Sequence, residues 1–147
     1  MANPVSEVVL TEAPLEFPEA SQGYGEGAVV EFRGVVRPGE DGRMIEGLEY
    51  ETHGEMAEHQ LQVLVDQAVE RFDLKLVQIH HRVGFVAVGE ASLFLRVMAS
   101  HRPAAFQASQ WLIDELKKTV PIWKKPRFSE HGAPQTGEAQ SPLILRQ

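Results

Sequence analysis

Residues 91–118 read ASLFLRVMASHRPAAFQASQWLIDELKK, and this stretch predicts a strand followed directly by a helix. Apolar residues predominate up to position 99 and predict the strand. Pro103 then suits the first turn of a helix, and an apolar stripe follows at three- and four-residue steps. The stripe comprises Ala105, Ala108, Leu112 and Leu116. Because Pro121 cannot continue a helix, we expect the helix to run over 103–118.

On the N-terminal side of this stretch, strand patterns alternate with turn patterns. Apolar residues recur with period two over 27–36, and an amphipathic helix is predicted over 55–72. The other predicted strands are 5–10, 45–52 and 74–83. We interpret 11–26 as a loop with at most one helical turn, and 84–90 as a connection. The turn-forming residues RPGEDGR at 37–43 predict a hairpin between the strands on either side of them.

This order of elements predicts an α+β fold, in which two main helices pack on mainly antiparallel strands. A chain of 147 residues is long enough for one domain with a sizeable core. We assign that domain to residues 1–128. Residues 129–147 are rich in Gly, Pro, Gln and Glu, so we expect a flexible tail there.

The composition excludes several classes of function. The chain has no cysteine, which excludes disulfides, thiolate nucleophiles and cysteine-ligated metal sites. Its net charge of −7, from 14 Lys and Arg against 21 Asp and Glu, argues against general nucleic-acid binding. The histidines lack the paired spacing of a helical zinc site, and we predict neither a metal ion nor a cofactor. No apolar run approaches the ~18–20 residues of a membrane helix, and we see no secretory signal, so we expect a cytoplasmic protein without membrane contact.

The basic residues concentrate in one region of this acidic chain. Residues 102–127 contain six basic side chains and two acidic ones, a net charge of +4. The basic ones are Arg102, Lys117, Lys118, Lys124, Lys125 and Arg127. A positive region on an acidic protein indicates a local anion site or an acidic partner surface. Chance clustering of six residues is the alternative.

Two of these lysines, Lys117 and Lys124, lie on either side of the apolar segment 120–123. Apolar and aromatic neighbours desolvate an ammonium group and lower its pKa towards the range in which lysine transfers protons at neutral pH. The alternative is a solvated helix end whose lysines face the negative pole of the helix dipole.

Ser100, His101 and Arg102 lie where the strand passes into the helix. Free backbone N–H groups at a helix start form an anion site, and these side chains would add charge-assisted hydrogen bonds to a phosphate. The alternative is that His101 only caps the helix. Lys117 lies at the other helix end, roughly 24 Å away at ~1.5 Å per residue. Either the chain has two sites, or a two-fold dimer brings one copy's Arg102 to the other's Lys117.

Five blocks of the sequence, in the right order, resemble the MoaE family, the large catalytic subunits of molybdopterin synthase. They are GAVVEFRGVVR at 27–37, LEYETHGEMAE at 48–58, HHRVGFVAVGEASLFLRV at 80–97, SHRPAAFQA at 100–108 and LKKTVPIWKK at 116–125. The resemblance implies an α/β hammerhead-like fold with an additional antiparallel sheet. It also implies a homodimer within a heterotetramer that includes two small ubiquitin-like sulfur-carrier subunits.

The same resemblance implies a sulfurtransferase of molybdenum cofactor biosynthesis. The carrier's C-terminal Gly-Gly thiocarboxylate would give its sulfur to cyclic pyranopterin monophosphate, a pterin phosphate, and form the dithiolene of molybdopterin. Carried over by position, the catalytic lysines are Lys117 and Lys124, and the substrate-binding residues are Arg37, His101 and Arg102. After Lys125 the chain departs from the family pattern, because no tryptophan follows.

Two other functions are compatible with the residues. One is a non-catalytic adaptor that docks a ubiquitin-like partner. The other is a small phosphate-binding protein that uses only the start of the second helix and needs no carrier. The presence of all five site residues favours the enzyme over the adaptor.

Overall fold

The computed structural model describes residues 5–19 and 25–129, which contain eight strands and two α-helices. In chain order they are β1 (Val5–Thr11), β2 (Ala28–Val35), β3 (Gly39–Glu40), β4 (Arg43–Thr52), α1 (Gly54–Phe72), β5 (Leu74–Arg82), β6 (Gly84–Ala87), β7 (Ala91–Ala99), α2 (Arg102–Thr119) and β8 (Ile122–Phe128). The strands form two sheets.

The first sheet contains four strands in the order β1-β5-β7-β2. β1 is parallel to β5, and the other neighbouring pairs are antiparallel. The register places Ala28, at the start of β2, beside Ala99, and it places Val35, at the end of β2, beside Ala91. β2 is therefore an edge strand, with β7 as its one partner among the described residues.

Both helices pack on one face of this sheet and enclose the main hydrophobic core. The other face is crossed by the segment 12–19. Phe17 packs on Phe94 with 5.4 Å between the ring centroids, and Arg96 donates a hydrogen bond to the carbonyl of Pro18. β7 is consequently buried on both faces, which explains its nearly continuous apolar sequence.

The second sheet is built around β4, which pairs with β6 on one side and with β8 on the other. A smaller core lies under it, formed by Val36, Ile45, Leu48, Tyr50 and Val86. Ile122, the first residue of β8, packs against both cores. β8 therefore connects the end of α2 to the second sheet.

The predicted α+β class is confirmed, and the predicted helices and longer strands agree with the structure to within two residues at each end. The hairpin predicted between 27–36 and 45–52 is wrong, because β2 pairs with β7 and β4 lies in the other sheet. The turn-forming segment instead closes a short hairpin between β3 and β4. Its turn residues Asp41 and Gly42 have φ of 54° and 74°, which suits a tight β-hairpin.

One further interpretation is wrong, and one strand was not predicted. Residues 84–87 form β6 instead of a connection, and residues 122–128, for which the sequence analysis gave no element, form β8. The described positions of the 11–26 loop contain no helical turn. The assignment of one domain to 1–128 stays a prediction, and the predicted tail beyond residue 129 lies outside the described residues. In the part of the chain that the structure describes, no helix is long and apolar enough to cross a membrane.

Candidate functional site

Helix α2 separates the candidate residues into two groups. Its 18 residues span about 27 Å at ~1.5 Å per residue. His101 and Arg102 lie at its start, and Lys117 lies in its last turn. The structure therefore does not bring the two groups together within one chain.

The start of α2 is held against β2 by a close backbone contact. A Cβ atom on Gly27 would lie 2.5 Å from the carbonyl oxygen of Ser100, so a larger residue would displace this corner. His101 is the N-cap residue, with φ −136° and ψ 152°, but its side chain makes no capping hydrogen bond. The structure thus gives no support to the alternative that His101 only caps the helix.

Arg102 is placed where a cation is electrostatically unfavourable. It is the first residue of α2, at the positive end of the helix dipole, and the first turn contains no acidic residue. Both Arg102 and His101 are exposed. An anion that bound here would meet free backbone N–H groups, the helix dipole and an arginine at once.

The other end of α2 is tied to the second sheet. Val120 is buried, and its N–H donates to the carbonyl of Leu116 at 3.1 Å, which ends the helix. The hydroxyl of Thr52, the last residue of β4, then donates to the carbonyl of Pro121 at 3.1 Å. Because β8 starts at the next residue, this turn fixes Lys117 on α2 relative to Lys124 on β8.

β8 directs its two adjacent lysines to opposite faces of the second sheet. Lys124 lies directly opposite the buried Tyr50 of β4, and residues opposite each other across a ladder share a face. Lys125 lies on the outer face, where its Nζ is 4.0 Å from an Oε2 of Glu51. The neighbouring Arg127 on that face pairs with Glu49 at 2.8 Å. The outer cations thus belong to a surface ion-pair network, whereas Lys124 faces the side of the smaller core.

The last turn of α2 separates its adjacent lysines in a similar way. Lys118 forms an i,i+3 ion pair with Glu115 at 3.4 Å, and Lys117 lies about 100° further round the helix. Lys117 and Lys124 are both exposed. This chain alone therefore does not supply the burial that the sequence argument invoked for these two lysines.

Within one chain, Arg37 lies on the side of the two lysines and not on the side of His101 and Arg102. It follows Val36, whose N–H donates to the carbonyl of Glu90 at 3.0 Å. Val36 and Ile122 pack in the same small core, so the segments that carry Arg37 and Lys124 meet there. Along β2, Arg37 is separated from the Gly27 corner by about 30 Å at ~3.3 Å per residue.

A buried polar cluster lies under this end of the second sheet, and the sequence analysis did not identify it. The Nδ1–H of His81 donates to the carbonyl of Arg82 at 2.7 Å, and its ring meets the ring of Tyr50 edge-on at 5.2 Å. Burial lowers the pKa of His81 to about 4. Burial also raises the pKa of Tyr50, whose hydroxyl donates to Ser92 at 3.1 Å. The pattern His80-His81 gave no signal that one of the two rings is buried.

Residues 5–19 and 25–129 contain no group of three or more His, Asp or Glu side chains that could hold a metal ion. The candidate side chains near both ends of α2 are instead basic. One end of α2 presents two lysines and an arginine, and the other presents a histidine and an arginine. This arrangement can bind anions and can supply or accept protons.

Comparisons with known proteins identify the family. A profile of the MoaE protein family matches residues 10–119. The chain is 40% identical over 99 residues to the molybdopterin synthase catalytic subunit of Thermoplasma volcanium, which covers 67% of this chain and 72% of that protein. The solved structure of molybdopterin synthase from Staphylococcus aureus matches with a TM-score of 0.75 at 31% identity, over 89% of this chain and 96% of that one. A complex of subunits 1 and 2 of molybdopterin-converting factor from Helicobacter pylori shares the fold, with a TM-score of 0.62 at 19% identity over 87% of this chain and 92% of that one. The chain belongs to the MoaE family.

Proposed function

We propose that this chain is the catalytic subunit of a molybdopterin synthase. It would transfer sulfur from the thiocarboxylated C-terminus of a small ubiquitin-like carrier to cyclic pyranopterin monophosphate, and so form the dithiolene of molybdopterin. The observation that carries the proposal is the family match over residues 10–119, because it contains four of the five candidate residues. The fifth, Lys124, lies beyond that match and rests on its place in β8.

The two lysines suit the chemistry of a thiocarboxylate. Its sulfur is anionic, so the ammonium groups of Lys117 and Lys124 attract and orient it. The sulfur attacks a carbon of the substrate, the C–O bond at that carbon breaks and its oxygen leaves with a proton, and a thioester then joins carrier and substrate. Water attacks the thioester carbonyl and breaks the bond between the carrier's acyl carbon and the sulfur, so that the water oxygen stays on the carrier as a carboxylate and the sulfur stays on the substrate. The lysines would polarise the thioester carbonyl and move the protons of these steps.

The phosphate of the substrate would be bound by Arg37, His101 and Arg102. Because α2 separates His101 and Arg102 from the lysines, we propose that each site is shared between two copies of the chain. One copy supplies Lys117, Lys124 and Arg37, and the other supplies the start of its α2. The assembly is then a homodimer within a heterotetramer, with one carrier at each site. A cytoplasmic location stays a prediction from the sequence.

A single-turnover assay with thiocarboxylated carrier and the pterin substrate tests the chemistry. We expect Lys117→Ala to lose about 10²- to 10⁴-fold in rate, the usual contribution of a positioned acid–base group. Lys118→Ala is the matched control, because it removes an identical charge from the adjacent position and an exposed ion pair with Glu115. It should keep the wild-type rate. Equal losses in both variants would mean that the rate depends on the total positive charge at the end of α2 and not on Lys117 in particular.

Mixing two inactive variants tests the shared site. A mixed dimer of Lys117→Ala and Arg102→Ala chains contains one intact site if the site is shared, and none if each chain builds its own. Random mixing should then restore about one quarter of the wild-type activity, because half of the dimers are mixed and each has one working site. No recovery after verified exchange of chains would contradict the shared site.

The two alternatives predict different results. An adaptor would bind the carrier and yield no product even as the wild-type chain. A phosphate-binding protein would bind the pterin phosphate but would not distinguish a carrier ending in Gly-Gly from one that lacks those glycines. A pull-down with both carriers therefore separates this alternative from the first two functions.

A further inference from the structure

Arg82 is a buried cation at the end of β5, and its side chain is 8% exposed. Its Nη1 donates to a carboxylate oxygen of Glu90 at 2.7 Å. Its Nη2 donates to the carbonyl of Glu12 at 3.1 Å and to the carbonyl of Phe85 at 3.2 Å. Arg82 therefore joins the segment 12–19, β6 and the turn that precedes β7.

These contacts are not those that stability alone would favour. Within the described ranges, the Nε of Arg82 is buried without a hydrogen-bond partner, and Glu90 is the one carboxylate with which Arg82 forms an ion pair. A buried donor without a partner reduces the stability of a fold, and the burial of a charge does so as well. The stability of the fold therefore does not account for an arginine at this position.

Glu90 connects this cation to the segment that carries Arg37. It closes the turn 87–90, because its N–H donates to the carbonyl of Ala87 at 3.0 Å. Its own carbonyl accepts a hydrogen bond from the N–H of Val36 at 3.0 Å, and the N–H of Gly89 donates to the carbonyl of Val36 at 2.9 Å. Both backbone groups of Val36 are thus held by the turn 87–90.

Arg37 lies between two anchored residues. Val36 before it is bound to the turn 87–90, and the carbonyl of Pro38 after it accepts a hydrogen bond from the N–H of Ile45 at 3.0 Å. Arg37 itself is exposed. A guanidinium binds a phosphate through two parallel hydrogen bonds, which require a defined direction of the group. An anchored backbone at Arg37 reduces the ordering that phosphate binding would otherwise cost.

Packing alone does not hold the turn 87–90. A cavity of about 300 Å³ is lined by Gly89 and Glu90 together with Leu15 and Phe17 of the segment 12–19. A cavity supplies no packing contacts to the atoms that line it. The side chain of Glu90 is also 49% exposed, so the ion pair with Arg82 is what restrains its direction.

We propose that Glu90 is a positioning residue for Arg37, and that the buried Arg82 holds Glu90 in place. The inference rests on the proposed function, in which Arg37 binds the phosphate of the pterin substrate. Arg82 restrains the carboxylate of Glu90, and the backbone of Glu90 then restrains Val36. Arg37 is the next residue, so Glu90 acts on the phosphate site through the backbone and does not bind the substrate itself.

Titration calorimetry with cyclic pyranopterin monophosphate tests the proposal without turnover. The full-length chain is mixed with a carrier that ends in an ordinary carboxylate, so that no sulfur can be transferred. We expect Glu90→Ala to weaken substrate binding about tenfold, the effect of losing one hydrogen bond to a charged group. Glu90→Gln keeps an oxygen that can accept from Nη1 of Arg82, and it should bind the substrate almost as tightly as the wild type.

The single-turnover assay separates binding from chemistry. At saturating substrate and with thiocarboxylated carrier, the rate of Glu90→Ala should stay within about twofold of the wild-type rate, because the lysines are unchanged. Glu49→Ala is the matched control, since Glu49 accepts a hydrogen bond from Arg127 at 2.8 Å and is a similarly exposed partner of an arginine. Glu49 lies on the outer face of the second sheet, so this variant should leave substrate binding unchanged.

A double-variant cycle separates positioning from a general loss of stability. If Glu90 acts through Arg37, then Glu90→Ala should weaken binding less than about twofold in a chain that already carries Arg37→Ala. A general loss of stability would weaken binding by the same factor in both backgrounds. Hydrogen exchange gives a readout that needs no substrate. The amides of Val36 and Gly89 should exchange faster in Glu90→Ala, whereas those of α1 should keep the wild-type rates.

The outcomes separate the positioning role from the function. The positioning role would be overturned, and the function would stand, if the wild type forms product but Glu90→Ala binds the substrate as tightly as the wild type. Equal weakening of binding in the two backgrounds would overturn it as well. A wild type that forms no product, with the calorimetric coupling intact, would contradict the function and support the positioning role. A wild type that does not bind the pterin phosphate would overturn both.

Discussion

The two ends of α2 differ in what holds them. At the start, Gly27 lets β2 approach the corner before the helix, and the two candidate residues extend from that corner into solvent. At the end, a hydrogen bond from Thr52 and a strand ladder attach the lysines to the second sheet. The start therefore leaves its groups exposed to solvent, and the end keeps its groups in a fixed relation to each other. The difference teaches that the two ends of one helix can differ in how firmly they hold the side chains they carry.

The largest effect should come from removing one of the two candidate lysines near the end of α2. Lys124→Ala removes a charge on the inner face of β8, and we expect a loss of about 10²- to 10⁴-fold in single-turnover rate. Lys125→Ala removes the adjacent charge, whose partner Glu51 is 4.0 Å away on the outer face, and should keep the rate. A large loss in Lys125→Ala with a small one in Lys124→Ala would show that the assignment of faces is wrong.

Acid should destabilise the fold through the buried His81, which lies beside Tyr50 under the second sheet. The pKa of His81 is about 4 in the folded chain and ~6.5 when unfolded, so the unfolded state binds the extra proton between these values. Stability from this group is complete above pH 6.5 and decreases as the pH falls to 4, by about 3 kcal/mol in all. Denaturant unfolding at a series of pH values measures this slope.

His81→Phe keeps a ring beside Tyr50 but cannot bind a proton. It should be less stable than the wild type above pH 6.5, because the carbonyl of Arg82 loses its donor. Its stability should nevertheless change less between pH 6.5 and 4 than that of the wild type. The same substitution at the exposed His59 is the control and should leave the slope unchanged. An unchanged slope in His81→Phe would remove His81 as the cause.

The smallest effect should come from loosening the start of α2. Gly27→Ala puts a methyl group 2.5 Å from the carbonyl oxygen of Ser100, and the resulting backbone shift should cost about 1–3 kcal/mol of stability. Phosphate binding should weaken with it, because the corner carries His101 and Arg102. Thermal unfolding and the KM for the pterin substrate measure the two effects. Gly54→Ala, where a Cβ meets nothing within 4 Å, is the matched control.

The sequence predicts the elements that carry strong periodicity and misses those that depend on a partner. Both helices and the long strands were predicted because their apolar residues repeat over many positions. β6 has four residues, too few for any period, and β8 contains three basic residues and Pro126. Proline is tolerated there because, among the described strands, β8 pairs with β4 alone and so lies at the edge of its sheet. The wrong hairpin has the same origin, since period two identifies a strand but not its neighbour.

The candidate site shows the same limit. The sequence and the family resemblance name Lys117 and Lys124, but neither the sequence nor the resemblance distinguishes them from Lys118 and Lys125 by direction. That distinction needs the strand register of β8 and the ion pairs on its outer face. The buried cluster around His81 needs both sheets in place, so no local pattern could reveal it.

The length of the turn between α2 and β8 determines which residues of β8 face the smaller core. Deleting one residue from 119–121 would shift β8 by one position, and period two would then turn Lys125 inward and Lys124 outward. A lysine would still occupy the inner face, but Arg127 would leave Glu49 and the hydroxyl of Thr52 would lose its carbonyl partner. The adjacent lysines therefore keep a positive charge opposite Tyr50 when the turn is one residue shorter. An insertion of one residue would instead bring Trp123 to that position and remove the charge from the inner face.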